Sequence, residues 1–137
     1  MMDQVRQRET VDGRKLGEMM LASSAAAEND RARARCFQGW QARALLNMAR
    51  EAGGQRTCLA GIRALVTGEE VQAVPLPADA GTPGVRLKKA YVRAMRLLTD
   101  CEAYARDPEY GPVFQRLSLR QQDHCRKILE IIGSMAD

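Results

Sequence analysis

The chain has 137 residues, which is enough for one domain with a single sizeable core. Its content of 45% apolar and 28% charged residues is normal for a soluble globular protein. The net charge of +4 is too small by itself to indicate a nucleic-acid partner. No apolar run approaches the roughly 18–20 residues that a membrane helix needs, so we predict no membrane association.

The composition favours helices and a reducing environment. Alanine, leucine, arginine and methionine are plentiful and β-branched residues are few, which favours an all-α fold. The cysteines Cys36, Cys58, Cys101 and Cys125 stand far apart with no CxxC pair, each inside a predicted helix. This spacing predicts reduced thiols that pack as small hydrophobic groups, and a cytoplasmic location.

The chain begins with a polar stretch, MMDQVRQRET, which predicts a flexible N-terminus over residues 1–10 and a single domain over residues 11–137. Helical pattern starts near Asp12, a suitable N-cap, and continues through KLGEMMLASSAAAENDRARARCF. Its RARAR run is the densest positive patch. We interpret that run as a solvated helix face, because no aromatic residue accompanies it to stack on bases.

The first candidate break is Gln38-Gly39-Trp40, and a second helix is predicted from about 41 to 67. Apolar residues recur every three or four positions along it, and Gly68 is a natural stop. The next residues, EEVQAVPLPADAGTPG, contain three prolines and two glycines. They predict an irregular crossover loop over about 68–84 that spans the length of the molecule.

The third helix is predicted to begin near Pro83 or Gly84 and to end at the turn DPEYGP. Pro112 suits the first turn of the fourth helix, and Gly133 is its predicted stop. Two αα-hairpins joined by one long connection make an all-α four-helix bundle of the ferritin-like kind.

The fourth helix carries two polar residues on an otherwise apolar face. That face contains Phe114, Leu117, Gln121, His124, Ile128 and Ile131. His124 is the only histidine in the chain and follows Gln121 by three residues. Residues at this spacing project to the same side of a helix. The pattern is that of a metal-binding pair whose carboxylate has been replaced.

A family resemblance rests on these segments. LLNMAREAGGQRTCLAGIRALVTGEE and AYVRAMRLLTDCEAYARDPEYGPVFQRLSLRQQDHCRKILEIIG resemble the second to fourth helices of rubrerythrin-type ferritin-like proteins. The resemblance covers roughly residues 20–134 and depends on MA-x-x-A-x-x-Q, on TG after the second helix, and on DPEYGPVF before Q-x-x-H. It implies a ferritin-like fold. In that family, one Glu from each of two helices and Glu-x-x-His from the other two hold a di-iron centre.

Most of the implied ligand positions are substituted in this chain. They fall on Ala25, Ala52, Gln55, Ala94, Gln121 and His124. A register shifted by three residues in the first two helices would instead use Glu28, Gln55 and Cys58. Neutral amides and one imidazole do not offset two divalent charges in a low-dielectric core. The resemblance therefore implies the fold and argues against the di-iron chemistry.

Two hypotheses about function follow. The first is a degenerate ferritin-like bundle without a functional di-iron centre, which acts as a non-enzymatic structural or interaction protein and forms a homodimer or binds another protein. It needs no cofactor, and it interprets His124 as a core residue hydrogen-bonded to Gln121, Gln55 or Glu28. The alternative is a metal-binding oxidase, peroxidase or iron-handling protein with an atypical ligand set. Iron or a single divalent metal would then use His124, Glu28 and Cys58.

Overall fold

A computed structural model describes residues 11–69 and 78–135. The described residues form four α-helices and no strand, which confirms the predicted all-α class. The helices are α1 (Gly13–Ala34), α2 (Gly39–Thr67), α3 (Pro83–Ala103) and α4 (Gly111–Met135). The predicted flexible N-terminus, residues 1–10, lies outside the described residues, and so does the middle of the predicted crossover loop. No helix in the described part is long and apolar enough to cross a membrane.

The helix ends follow local signals in the sequence. Asp12 caps α1, and its carboxylate accepts a hydrogen bond from the backbone N–H of Arg14 at 3.1 Å. Gly68 ends α2 with a φ of 74°, a left-handed conformation that glycine adopts without steric cost. Thr82 caps α3, whose first residue is Pro83. The predicted start of the first helix, end of the second and start of the third are therefore close to the observed ones.

The predicted end of α4 is wrong. The helix passes through Gly133 and ends at Met135. One glycine costs a helix only about 1 kcal/mol relative to alanine. The buried side chain of Ile131 holds the same turn against the core, and that packing outweighs the cost.

The four helices pack as two antiparallel pairs. Helix α1 packs chiefly on α2, and α3 packs chiefly on α4. The start of α1 lies beside the end of α2, because Arg63 Nε donates to the carbonyl oxygen of Gly13 at 3.1 Å. Further along the pair, Gln55 Nε2 donates to Ser23 Oγ at 3.1 Å.

Contacts between the two pairs close the bundle. Gln121 on α4 lies against Gln55 on α2, with 2.8 Å between Nε2 and Oε1. Lys15 near the start of α1 forms an ion pair of 3.3 Å with Asp100 near the end of α3. Helix α1 is therefore antiparallel to both α2 and α3, and these two run in the same direction.

The apolar core consists of two clusters at opposite ends of the bundle. The first, where α1 and α4 begin, contains Val11, Leu16, Met19, Met20, Leu59, Ile62, Leu97, Cys101, Tyr104, Phe114 and Leu117. The second, where α1 and α4 end, contains Ala34, Leu45, Met48, Leu87, Ala90, Ala94, Cys125, Ile128 and Ile131. The positions between these clusters on α1, α2 and α4 are occupied by polar side chains.

The glycines within α2 and at the start of α4 differ sharply in their surroundings. Helix α2 continues without interruption through Gly53 and Gly54, and a Cβ atom at either residue would have no neighbour within 4 Å. A Cβ atom at Gly111, in contrast, would lie 2.7 Å from the backbone oxygen of Ala105. Of these three positions, only Gly111 at the start of α4 lacks room for a side chain.

This difference predicts opposite effects of two alanine substitutions. Gly111→Ala should lower the free energy of unfolding by about 1–3 kcal/mol, because the backbone at Ala105 must move. Gly54→Ala, on the exposed side of α2, should raise it by about 0.5–1 kcal/mol. Urea unfolding followed by circular dichroism measures both. Equal effects at the two positions would contradict the observed packing around Gly111.

Candidate functional site

A layer of polar side chains crosses the middle of the bundle. We call Ser23, Gln55, Gln121 and His124 the polar layer. All four are buried. In each of the three helices that contribute, the polar residue lies between members of the first and second apolar clusters. The layer is also the place where the ferritin-like resemblance puts metal ligands, so we treat it as the candidate functional site.

Three members of the polar layer form a directed chain of hydrogen bonds. Gln121 Nε2 donates to Gln55 Oε1 at 2.8 Å, and Gln55 Nε2 donates to Ser23 Oγ at 3.1 Å. Ser23 Oγ in turn donates to the backbone oxygen of Met19 at 3.0 Å. Each such bond contributes about 0.5–1.5 kcal/mol net. The chain therefore links α4, α2 and α1 through neutral groups.

His124 uses a different partner. Its imidazole is 4% exposed, and Nε2 lies 3.3 Å from Glu51 Oε1 on α2. Glu51 also lies 3.6 Å from Arg120 Nε. Burial lowers the pKa of His124 below its usual value, while the hydrogen bond and the charge of Glu51 partly oppose that shift. The net result is an imidazole that is chiefly neutral at pH 7.

The structure buries most of the predicted ligand positions. Ala52 and Ala94 are buried, as are the polar residues Gln55, Gln121 and His124. Ala25 is half-buried.

The remaining two candidates, Glu28 and Cys58, stand apart from the polar layer. The Glu28 side chain is 69% exposed and lies 3.9 Å from Arg31 on the surface of α1. Cys58 is half-buried and packs against the first apolar cluster. The glutamate that contacts His124 is Glu51, which the sequence pattern did not single out because it lies on the half-exposed flank of α2.

A partly buried ion cluster lies next to the polar layer, and sequence reasoning missed it. It consists of Asp30, Arg33, Asp79 and Arg93. The Arg33 side chain is 1% exposed and forms ion pairs with Asp30 and, at 3.2 Å, with Asp79. Asp79 also accepts from Arg93 at 2.8 Å. The cluster ties the end of α1 to α3 and to the segment that precedes α3.

The interpretation of RARAR as a solvated face is wrong for its central residue. Arg31 and Arg35 are exposed, but Arg33 points into the bundle. The signal that was available in the sequence is Asp30. It falls on the apolar face of α1, three residues before Arg33, where a carboxylate requires a partner.

The pKa values of the two carboxylates in the ion cluster shift in opposite directions. Burial raises the pKa of Asp30, although the charge and hydrogen bond of Arg33 oppose the rise. Burial also acts to raise the pKa of Asp79. There the hydrogen bonds and charges of Arg93 and Arg33 prevail and hold its pKa below the usual value. Asp79 therefore stays ionised between its two arginines.

A small cavity opens between the polar layer and the ion cluster. Its volume is about 20 Å³, and its wall includes Ala26, Ala94, Arg33, Gln121 and His124. A space of this size accommodates about one water molecule. Two catalytic metal ions lie about 3.5–4 Å apart and need several ligands each. The residues present do not fit such a centre. No group of three or more His, Cys, Asp or Glu suited to a metal occurs among the described residues.

No protein-family model, curated protein or solved structure matches the chain. The ferritin-like resemblance therefore rests on the sequence segments given above and stays a prediction.

The cysteines offer no activated nucleophile in the core. Burial, together with Asp100 and Glu102, raises the pKa of the Cys101 thiol to about 12. Burial also raises the pKa of Cys125. Since the thiolate is the reactive species, both thiols are inert at neutral pH. Cys36, predicted to lie in a helix, is exposed in the turn after α1.

From the ion cluster we expect two aspartates with similar partners to differ in their contribution to the free energy of unfolding. Asp79→Ala should lower the free energy of unfolding by about 3–5 kcal/mol, because it leaves the buried Arg33 with a single partner. Asp123 also holds two cations, Arg126 and Lys127, but on the surface. Asp123→Ala should therefore cost less than about 1 kcal/mol.

Urea unfolding at pH 7 provides the comparison. A loss at Asp79 no larger than the loss at Asp123 would show that burial of the Arg33 pair does not contribute to stability.

His124 predicts a defined pH dependence of stability. Since its pKa is lower in the folded chain, its contribution is fully present above the unfolded value of about 6.5. The contribution is lost as the pH falls from there towards the folded pKa. The slope cannot exceed about 1.4 kcal/mol per pH unit, because one proton is involved.

The chain has one histidine, so the difference between wild type and His124→Gln isolates this effect. Chemical unfolding at a series of pH values should show a shallower dependence in the variant. In an NMR titration, Glu51→Gln should lower the pKa of His124 further, because the carboxylate raises it. An unchanged pKa in Glu51→Gln would contradict the observed contact.

Proposed function

We propose that this chain is a ferritin-like bundle of the rubrerythrin type that lacks a functional di-iron centre and acts as a non-enzymatic structural or interaction protein. The observation that carries the proposal is the polar layer. Where the resemblance expects a metal-bridging carboxylate and a metal-binding histidine, Gln121 and Gln55 form a hydrogen-bonded amide pair, and Ser23 completes the chain. The side chains thus satisfy one another.

The charges around the polar layer support the same proposal. The nearby carboxylates Asp30 and Glu51 are already paired, with Arg33 and Arg120 respectively. Two divalent cations would therefore meet almost no uncompensated negative charge. Desolvating such ions without opposite charges costs far more than hydrogen bonds to amides return.

The directions of the helices support the predicted crossover. Helix α2 ends beside the start of α1, through Arg63 and Gly13, whereas Asp79, just before α3, contacts Arg33 near the end of α1. The connection must therefore cover a distance equal to the length of α1, about 30 Å. The segment from Gly68 to Asp79 can extend to roughly 36 Å. Its length suffices for the long connection of a ferritin-like bundle.

Metal content tests the proposal. We expect well below one metal ion per chain after expression in medium supplemented with iron and manganese and purification without chelators. A variant that restores the expected ligands at the buried positions provides the matched control: Ala52→Glu, Gln55→His, Ala94→Glu and Gln121→Glu. If that variant folds, it should retain more metal than the wild type.

Two results would overturn the proposal. About two iron or manganese ions per wild-type chain would make the oxidase or peroxidase hypothesis primary. One ion per chain that is lost in His124→Ala would indicate a single-metal site at the polar layer. Elemental analysis of both proteins, alongside circular dichroism to establish folding, distinguishes these cases.

A further inference from the structure

The outward side of α3 carries an apolar stripe that has no cover among the described residues. Val85, Val92 and Met95 are 44%, 54% and 39% exposed, and Thr99 continues the line. A shallow depression of about 430 Å³ lies over Val92, Met95 and Thr99. With Lys88 counted between Val85 and Val92, the spacing alternates between three and four residues, which is the pattern of a helix that packs against another helix.

Charged residues mark the two ends of this stripe. Lys88 and Glu102 occupy the same heptad positions as Met95, towards the start and the end of α3. We call the six residues Val85, Lys88, Val92, Met95, Thr99 and Glu102 the α3 seam. Both charged residues are exposed, and neither forms an ion pair within the described part of the chain.

The charge distribution along α3 is unfavourable for an isolated helix. The last turn contains Asp100 and Glu102 and no basic residue, and the first turn contains no acidic residue. The helix dipole favours the opposite arrangement. Asp100 is compensated by Lys15, at 3.3 Å, but Glu102 has no such partner within the described chain. A positively charged group on another molecule could therefore pair with Glu102.

We propose that a second copy of this chain docks antiparallel on the α3 seam, with a two-fold axis at Met95. Met95 lies midway between Lys88 and Glu102 in the sequence. The two-fold axis therefore places Lys88 opposite Glu102 of the partner subunit, and the same pair forms again on the other side of the axis. Val92 then lies near Thr99 of the partner subunit. The antiparallel arrangement also opposes the two helix dipoles.

The pattern fits a second copy better than a different kind of partner. An isologous interface requires each patch to be its own complement, and the α3 seam meets this requirement. A nucleic acid would meet Glu102 as a repulsive charge. One pair of helices about 30 Å long buries less than the roughly 800 Å² per partner of a standard interface. The dimer is therefore weak and reversible.

The dimer names the partner of the proposed interaction protein, and its role therefore rests on the proposed function. The two are tested separately. Metal content is measured per chain, whereas the seam is tested by self-association of the same purified protein. A metal-free monomer would contradict only the seam, and a metal-loaded dimer would contradict only the proposed function.

Sedimentation equilibrium over a range of concentrations tests the seam. We expect wild type to dimerise below about 1 mM chain. Lys88→Glu and Glu102→Lys should each raise the dimer dissociation constant at least about tenfold, because symmetry places two like-charge contacts in the dimer. The double variant reverses both pairs and should return to within about threefold of wild type. Arg116→Glu makes the same charge change as Lys88→Glu at an exposed position on α4, and it should have little effect on the dissociation constant.

Stability measurements separate dimer loss from unfolding. Glu102→Lys removes a negative charge from the last turn of α3, so its monomer should unfold at the same temperature as wild type or a higher one. Met95→Arg, which places two cations at the axis, should abolish dimerisation. The proposal is overturned if wild type stays monomeric at about 1 mM. It is equally overturned if Met95→Arg still dimerises, or if the double variant remains as weak as the single ones.

Discussion

The buried guanidinium of Arg33 is the constraint on which the arrangement of the helices depends. A cation with 1% exposure is tolerated only when opposite charges and hydrogen-bond acceptors surround it. Asp30 supplies one partner from the same helix, and Asp79 supplies the other from the segment before α3. Asp79 is itself held by Arg93 and, through its backbone N–H, by Asn29. The end of α1 and the start of α3 are thereby fixed in register.

The polar layer extends the same constraint to the other helices. With α1 fixed, Ser23 faces Gln55, and Gln55 faces Gln121 on α4. Sliding any of these helices by one turn would place an amide against one of the apolar clusters and leave it without a partner. Such a group costs about 1–3 kcal/mol. The layer adds modest stability, and its larger effect is to make alternative registers unfavourable.

Local signals in the sequence predict most of the fold, but the pairing of side chains across helices lies beyond them. Periodicity, the caps at Asp12 and Gly68, and Pro83 at the start of α3 give three helix ends, because the interactions involved span only a few residues. The stop predicted at Gly133 is wrong, since the packing of the same turn stabilises the helix by more than one glycine destabilises it. Burial of Gln55, Gln121 and His124 also follows from periodicity. Periodicity does not predict the contact of Glu51 with His124 or that of Asp79 with Arg33, because the two residues of each pair are far apart in the sequence.

The neutrality of the polar layer also affects how the chain reaches its folded state. Bundles whose central carboxylates await a cation carry repelling charges in their core until the ion arrives. Here the hydrogen-bond partners of Gln121, Gln55 and Ser23 come from the polypeptide itself. Under the proposed function, this core would form as soon as the helices meet, and the yield of folded chain during synthesis would be independent of the iron supply of the cell.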